Sequence, residues 1–480
     1  MDGRHPVYEW RDAMRIPLAR VMVVSIVACL ATVEASAETL DEALATAYAS
    51  NPTLAAQRAR LRVTDEQVPQ ALSGWRPEVR AFGDAGYRRL DRDQSGFRNE
   101  SNDLFNRRIG ASVEQPVFRG GRTLAATRGA ENAVRAERSR LTAVEQSVLL
   151  NATTAYVDVF RDQAVLDLNV RNEQRLTRQL EATRDRFQVG EVTRTDVFQA
   201  EARLARAVAE RIGAEGNLEA SRATYRNVVG EAPGRLQPPP LPEPLPKDLP
   251  TAIETAIYNN PDVISNEFFE RAALDDVDQV RGELLPTVSL VGQADREWEL
   301  ATEDTRLDNL EALVTVDVPL YQSGAVYSRL RASKQRVSEE RRLLDQSRRD
   351  AQESATQAWN DLQTAQAALL SFRKQVEANQ IALEGVEREA EVGARTVLDI
   401  LDAEQELLDS QVSLVRSQRD QTVAAYDLYA AVGALTARQL ALNVEYYDPE
   451  KYYNEVRDRW FGGSSPGGSG GDFPLPAGVD

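Results

Sequence analysis

The chain has 480 residues, a net charge of −18 at neutral pH, 28% charged side chains and 6% aromatic side chains. The excess of acidic residues argues against nucleic acid as a partner, because a surface that binds phosphates must be basic. Abundant Ala, Glu, Gln, Arg and Leu with few aromatic residues is typical of long helices that pack along narrow apolar seams. Composition therefore favours a mainly helical protein over a globular enzyme.

Residues 1–37 are predicted to be a secretory signal peptide. Arg15 and Arg20 precede an apolar run from residue 21 to residue 31, which is too short to cross a membrane as a mature helix. Ala35 and Ala37 then supply small side chains at the −3 and −1 positions of a cleavage site. We therefore expect the mature chain to begin at residue 38.

Two alternatives concern this leader. Met14 could be the true start, because residues 1–13 are longer and more polar than a signal requires, and Cys29 could be the acylated cysteine of a lipoprotein. Cleavage after Ala37 would remove the single His, the single Cys and all three Met residues. Metal sites built on His or Cys, and catalysis by Ser-His-Asp or Cys-His groups, are then excluded. We expect no metal and no cofactor.

A short helix is predicted from Leu40 to the Asn-Pro pair at residues 51–52, followed by a second helical segment to about Ser73. Proline disfavours helical geometry in the residue before it, which explains the break. The same pattern returns 209 positions later, with Asn-Pro at residues 260–261. The chain therefore contains a duplicated unit.

Each copy next contains two segments in which apolar and polar side chains alternate. The alternation covers residues 79–87 and 108–115 in the first copy, and 288–298 and 310–318 in the second. Strands of about 10 residues with one apolar and one charged face are typical of tilted membrane-spanning strands. A half-buried soluble sheet shows the same alternation and is the alternative. The repeat offset then falls from 209 to 203, so the first hairpin loop is predicted to be six residues longer.

Four strands cannot close a barrel, because single-chain membrane barrels have at least about eight. The open edges cannot face lipid either, since their N–H and C=O groups would have no partner. We therefore predict that the chain oligomerises, and three copies would supply twelve strands.

Helical periodicity then runs without interruption from about Arg122 to Gln188 and from about Ala325 to Glu391. Each helix would be about 100 Å long. Two apolar seams lie side by side on the helix that follows residue 396, so that this helix can pack against a neighbour on either flank. This arrangement predicts a tube of helices, and a thicker multi-helix bundle is the alternative.

The two long helices end in similar tips, at residues 189–201 and 392–404. Gly190 and Gly393 suit the left-handed backbone conformation just past a helix end. Thr193 and Thr396 each stand three residues before an Asp, a capping-box variant that begins the next helix. Each tip is therefore predicted to be the turn of a long antiparallel helical hairpin.

These patterns divide the chain into six parts. They are a signal peptide (1–37), a first structural repeat (38–230), a Pro-rich linker (231–250), a second structural repeat (251–435), a C-terminal equatorial segment (436–461) and a disordered tail (462–480).

The leader, the duplicated helix–hairpin–long-helix pattern and the Val-Gly-x-x-Thr-x-x-Asp tips together resemble the TolC-type outer-membrane channel family, most specifically at residues 393–403. The resemblance implies an α+β, mainly α fold and a homotrimer. In such a trimer a twelve-stranded barrel in the lipid of a Gram-negative outer membrane continues into a periplasmic α-helical barrel. It also implies an exit duct for drug efflux or type I secretion, working with a periplasmic adaptor and an inner-membrane ABC or proton-driven transporter. The aromatic tail from Tyr446 to Gly462 resembles the type I secretion subgroup.

The resemblance also implies roles for residues at the tips. Asp399 and Asp402 match two carboxylates that line the periplasmic constriction of family members. Arg395 matches an arginine that ties this hairpin to the first-repeat tip, at positions matching Thr195 and Asp196. An aromatic residue that joins this lock in some members is replaced here by Ala390, so the lock is expected to be weaker or differently built.

The local sequence explains Asp399 and Asp402 differently. Capping alone would explain Asp399, which follows Thr396 by three positions. Asp402 lies beyond the cap, on the same helix face as Asp399, and the first repeat has Gln199 in its place. Because like charges so close are unfavourable unless water or cations solvate them, the pattern favours a pore role for Asp402.

Two other functions fit parts of the pattern. One is a periplasmic coiled-coil scaffold or adaptor without a membrane barrel. The other is an envelope hydrolase that uses Asp399 and Asp402 as paired carboxylates. The second is disfavoured because the carboxylates lie in a helical turn with no pocket-building loops around them.

Overall fold

The computed structural model describes residues 38–92, 100–300, 302 and 304–464. The predicted cleavage positions Ala35 and Ala37 lie outside these residues, and so does the tail beyond residue 464. Among the described residues, no helix is both long enough and apolar enough to cross a membrane.

The first structural repeat consists of short helices, a β-hairpin and a long helical hairpin. Its elements are α1 (Leu40–Ser50), α2 (Pro52–Asp65), α3 (Gln67–Leu72), β1 (Glu78–Arg92), β2 (Glu100–Arg119), α4 (Arg122–Gln188) and α5 (Arg194–Val229).

The second structural repeat has the same order of elements and is followed by one short helix. The elements are α6 (Leu249–Asn259), α7 (Pro261–Gly282), β3 (Thr287–Trp298), β4 (Arg306–Asp317), α8 (Ala325–Glu391), α9 (Val397–Ala431) and α10 (Lys451–Val456). The duplicated, mainly helical α+β architecture predicted from the sequence is confirmed.

The Asn-Pro pairs end one helix and begin the next, as predicted. The Asn51 side chain accepts hydrogen bonds from the backbone N–H groups of Thr53 (2.9 Å) and Leu54 (3.4 Å), and Asn260 caps α7 in the same way. Proline occupies the first helical position, where no N–H donor is required. Each pair therefore stops a helix and starts another without an intervening loop.

The two long helices, α4 and α8, have the predicted bounds and contain 67 residues each. This corresponds to about 100 Å per helix. The returning helices α5 and α9 are about half as long, with 36 and 35 residues. The N-terminal half of each long helix, which the returning helix does not reach, packs against the short helices of the repeats. The main partners are α2 and α7 on α4, and α6 and α7 on α8.

The four strands form one antiparallel sheet in the order β1-β2-β3-β4. The strands of the second hairpin contain 12 residues each, but β1 and β2 contain 15 and 20. The prediction of uniform strands of about 10 residues, with six extra residues in the first loop, was wrong. Those six residues form three further cross-strand pairs, 90 with 102, 91 with 101 and 92 with 100. Continuing the ladder provides their backbone N–H and C=O groups with partners.

The two faces of the sheet differ in polarity. Cross-strand pairing places Val79, Ala81, Tyr87, Phe105, Ile109, Ala111, Val113, Leu290, Ala294, Leu310, Ala312, Val314 and Val316 on one face. These apolar side chains are largely uncovered: Leu310 is 86% exposed and Val314 71%. The opposite face carries charges, and Arg108 lies 3.1 Å from Glu297 and 3.5 Å from Asp295. Such a sheet suits lipid on one side and water on the other.

A buried cluster around Tyr156 and Tyr225, called the equatorial core below, joins the start and the end of the first repeat to the linker. Tyr156 and Tyr225 are fully buried, and their rings lie 6.5 Å apart. The Tyr156 hydroxyl lies 2.8 Å from the carbonyl oxygens of both Glu38 and Gln237, and the Tyr225 hydroxyl donates to the Glu38 carboxylate. Glu38 also accepts a hydrogen bond from the backbone N–H of Gly234 (2.9 Å). The Pro-rich linker is therefore fixed beside the first described residue of the chain.

A carboxylate without a hydrogen-bond partner is buried near this core. Asp65, the last residue of α2, is fully buried, and neither of its carboxylate oxygens has a partner among the described residues. Burial raises the pKa of Asp65 to about 6, although the positive charge of Arg138 acts in the opposite direction. At neutral pH the folded chain therefore holds an incompletely solvated negative charge.

We predict that Asp65→Asn stabilises the protein at pH 7.5 but not at pH 4. Because the folded-state pKa lies above the unfolded value of about 4, the aspartate penalises folding as pH rises from about 4 to above 6. The amide removes this penalty of about 3 kcal/mol, which corresponds to an increase of several degrees in Tm. Circular dichroism melts in detergent at the two pH values measure it.

Asp350→Asn, at an exposed position in α8, is the matched control and should leave Tm unchanged at both pH values. Equal shifts at pH 4 and pH 7.5 for Asp65→Asn would contradict the prediction.

Candidate constriction at the helical hairpin tips

Both hairpin tips turn through a glycine with positive φ. Gly190 has φ +83° and Gly393 has φ +78°. In the second tip, the Gly393 N–H donates to the Ala390 carbonyl (3.0 Å) and the Ala394 N–H to the Glu389 carbonyl (2.8 Å). These bonds satisfy the last carbonyls of α8 while the left-handed residue reverses the chain. The first tip repeats this bonding at Phe187 and Arg186.

Each returning helix begins with a reciprocal cap. The Thr193 hydroxyl accepts from the Asp196 N–H (3.3 Å), and the Asp196 carboxylate accepts from the Thr193 N–H (2.8 Å) and hydroxyl (2.8 Å). Thr396 and Asp399 repeat this arrangement at 3.3, 2.9 and 2.8 Å. Hydrogen bonds from Thr396, together with the nearby Arg395 charge, hold the pKa of Asp399 below its usual value. Asp399 is therefore ionised at neutral pH and fixed in position.

Asp402 lies one turn beyond this cap and has a partner that the sequence did not indicate. Its Oδ1 accepts from Nη2 of Arg203 at 2.5 Å, which joins α9 to α5 of the first repeat. The Asp402 side chain is 56% exposed and that of Arg203 is 27% exposed. The signal that could have drawn attention to Arg203 is its position seven residues after Asp196, on the same face of α5 as that capping residue.

An apolar cluster lies beside this ion pair. Leu176 of α4, Ala207 of α5 and Leu401 of α9 are buried together, with Leu204 and Val397 packed against them. Side chains from three helices therefore meet above the tips. The cluster holds α5 and α9 at the separation that allows Arg203 to reach Asp402.

Glu404 adds a buried charge to the same region. It is 7% exposed, and its Oε2 has no hydrogen-bond partner among the described residues. Burial raises the pKa of Glu404, and the nearby positive charge of Arg175 on α4 lowers it. The contact between α9 and α4 therefore contains a carboxylate and a guanidinium without full hydrogen bonding.

Arg395 pairs within its own hairpin. Its Nε donates to Glu389 at 2.8 Å. The backbone bond from Ala394 to Glu389 brings positions 389 and 395 together, which explains this choice of partner. The described residues show no bond from Arg395 to Thr195 or Asp196 within the chain.

Asp402 begins an acidic stripe along one face of α9, which is exposed at positions 402, 409 and 420 and half-buried at position 427. Asp402, Asp409, Asp420 and Asp427 are spaced by 7, 11 and 7 residues, which places them on one helix face. Leu401, by contrast, faces the cluster with α4 and α5. Among the described residues, no group of three or more His, Cys, Asp or Glu side chains is arranged to hold a metal ion.

Comparisons with known proteins agree with this geometry. The outer membrane efflux protein family matches residues 43–231 and 252–434, the two repeats without the linker between them. The outer membrane efflux protein BepC of Brucella suis is 34% identical over 435 residues, covering 90% of this chain and 94% of BepC. The outer membrane protein TolC of Vibrio cholerae is 24% identical over 434 residues, covering 88% of this chain and 97% of TolC.

A solved structure has the same fold. The CmeC outer membrane channel of Campylobacter jejuni superposes with a TM-score of 0.75 at 15% identity, covering 93% of this chain and 98% of CmeC. Members of the matching family are transport channels. The chain belongs to the outer membrane efflux protein family and is an outer-membrane exit duct for export from the cell.

Proposed function

We propose that three copies of this chain form the duct, with twelve strands in the outer membrane and a periplasmic tube of helices that narrows at the tips. The observation that carries this proposal is the sheet itself, which has an exposed apolar face and two open edges, β1 and β4. Pairing β1 of one copy with β4 of the next removes both edges. The lipid-facing band would then be continuous around the barrel.

We predict that cysteines placed on both edge strands cross-link chains only up to trimers. Ala81→Cys on β1 and Ala312→Cys on β4 lie on the apolar face. A flexible bis-maleimide in detergent should give dimers and trimers and nothing larger, because a closed ring has no free edge.

Ala111→Cys with Ala294→Cys is the matched control. These residues are paired between β2 and β3 of one chain, so the product should migrate as a monomer. A monodisperse monomer that retains its β-sheet circular dichroism signal would overturn the trimer.

We further propose that the tips receive cargo through a periplasmic adaptor protein and an inner-membrane ABC or proton-driven transporter. The exposed tips support this, since Val189 and Val392 are 72% and 81% exposed. Similarity to BepC, an outer membrane efflux protein, favours efflux as the export route, whereas the aromatic tail favours type I secretion. A photo-cross-linker at Val392 in living cells, followed by mass spectrometry, would identify the adaptor and its transporter.

The tip lock is proposed to act between chains. Asp196 uses Oδ2 for its cap, and its Oδ1 has no partner among the described residues. Arg395 of a neighbouring copy could therefore donate to Asp196 and Thr195 in place of Glu389. A charge-assisted bond of this kind is worth about 1.5–3 kcal/mol.

We predict that Arg395→Ser raises single-channel conductance in planar bilayers, because the tips lose this bond. Asp196→Asn should act in the same direction while its side chain still accepts the cap hydrogen bonds. Glu389→Gln removes the competing carboxylate within the hairpin and should not raise conductance. Conductance unchanged in both Arg395→Ser and Asp196→Asn would exclude the lock.

Asp399 and Asp402 are proposed to line the narrowest part of the duct. Three chains would contribute six carboxylates in two rings, about 4.5 Å apart along the helix axis. Rings of this kind favour cations and can hold a multivalent cation that blocks the pore.

We predict that the double variant Asp399→Asn, Asp402→Asn loses cation preference and block by a trivalent cation. Reversal potential across a planar bilayer, with and without the trivalent cation, measures both effects. Gln199→Ala, at the first-repeat position equivalent to Asp402, is the control and should keep parent selectivity. If the double variant keeps the parent's preference and block, the constriction lies elsewhere.

A further inference from the structure

The ion pair between Arg203 and Asp402 connects the proposed constriction to the outer hairpin. Arg203 lies on α5 and Asp402 on α9, so the pair forms only when the two helices are close. Within the described part of the chain, no other ion pair involves either residue. Asp402 therefore has one cationic partner, and that partner belongs to the other repeat.

The two carboxylates of the constriction are not equivalent in charge. Asp399 is held by uncharged donors of Thr396, and the Arg395 guanidinium beside it is bonded to Glu389. Asp402 is neutralised directly by a guanidinium in contact. With α5 and α9 together, each chain thus presents one uncompensated carboxylate at the constriction, from Asp399.

We propose that Arg203 sets the ion selectivity of the duct by masking Asp402 while the tips are closed and exposing it when they part. This rests on the proposed constriction and adds a selectivity-determining residue to it. In the closed trimer the constriction would carry three uncompensated carboxylates. In the opened trimer, with α9 moved away from α5, it would carry six.

The surroundings of the pair suit such a coupling. Leu204 follows Arg203 directly and packs beside the Leu401 cluster, and Leu401 directly precedes Asp402. Separation of these leucines therefore also separates the charges. Because both charged side chains are partly exposed, salt screens their attraction, and the masking should weaken above about 0.5 M salt, where the Debye length falls to a few ångströms.

The same helix offers a matched control. Arg206 lies three residues after Arg203 on α5, and its Nε bonds to Glu210 at 2.7 Å, within the same helix. Arg206→Gln therefore removes the same charge from the same helix and leaves the Arg203–Asp402 pair intact, while the Arg206 charge also acts at longer range on Asp409 of α9. A difference between the two arginine variants isolates the contact with Asp402.

The experiment compares wild type, Arg203→Gln, Arg206→Gln and the exchange Arg203→Asp with Asp402→Arg in planar bilayers. We expect Arg203→Gln to raise the cation-to-anion permeability ratio severalfold and to be blocked by hexaamminecobalt(III) at about tenfold lower concentration, since three carboxylates are unmasked. Arg206→Gln should match wild type. The exchange restores a neutral pair and should return both quantities to wild-type values.

Equal permeability ratios and block in Arg203→Gln and Arg206→Gln would overturn the inference. So would a change in Arg203→Gln that the exchange does not reverse. The outcome is separable from the constriction itself. If the double variant Asp399→Asn, Asp402→Asn keeps wild-type selectivity, the proposed constriction is wrong. If the double variant loses selectivity but Arg203→Gln behaves like wild type, only the proposed role of Arg203 is wrong.

Discussion

Backbone hydrogen bonding at the edges of a four-stranded sheet is the constraint on which the rest of this structure depends. β1 and β4 each have one neighbour, so their outer N–H and C=O groups require strands from another chain before the apolar face can enter lipid. The apolar side chains of β4 cannot be buried within one copy, and all twelve residues of this strand are exposed. In the proposed trimer, assembly is therefore part of folding for the membrane portion.

The long helices α4 and α8 continue directly from the sheet and lead away from the membrane. Because α4 follows β2 after a two-residue turn, and α8 follows β4 after seven residues, each hairpin directs a 67-residue helix away from the membrane. The equatorial core fixes α4 halfway along its length, at Tyr156. There the buried tyrosines bind Glu38, the first described residue, and the linker that leads to the second repeat, at a level far from both sheet and tips.

The sequence was most informative where local chemistry decides the outcome. The bounds of α4 and α8 follow from long periodic patterns that begin after Gly121 and Gly324 and end before Val-Gly tips, all features of the local chain. Strand lengths were harder to predict from the sequence. The pairing of residue 90 with 102, 91 with 101 and 92 with 100 depends on cross-strand register and not on alternation alone. The ion pair at the tip was the hardest feature to predict, because Arg203 and Asp402 are 199 positions apart and meet only through tertiary packing.

The tips show how one sequence pattern can stabilise both repeats while the two tips differ in charge. Thr193 with Asp196 and Thr396 with Asp399 form the same cap with nearly the same distances, so capping cannot distinguish the repeats. The difference arises one turn later, where Asp402 replaces the uncharged Gln199. An added carboxylate beside an ionised one is unfavourable unless a cation offsets it, and Arg203 supplies that offset from the other hairpin. A charge that costs stability when α9 stands alone thus favours contact between α9 and α5. In the proposed masking of Asp402 by Arg203, the same contact reports whether the hairpins are together.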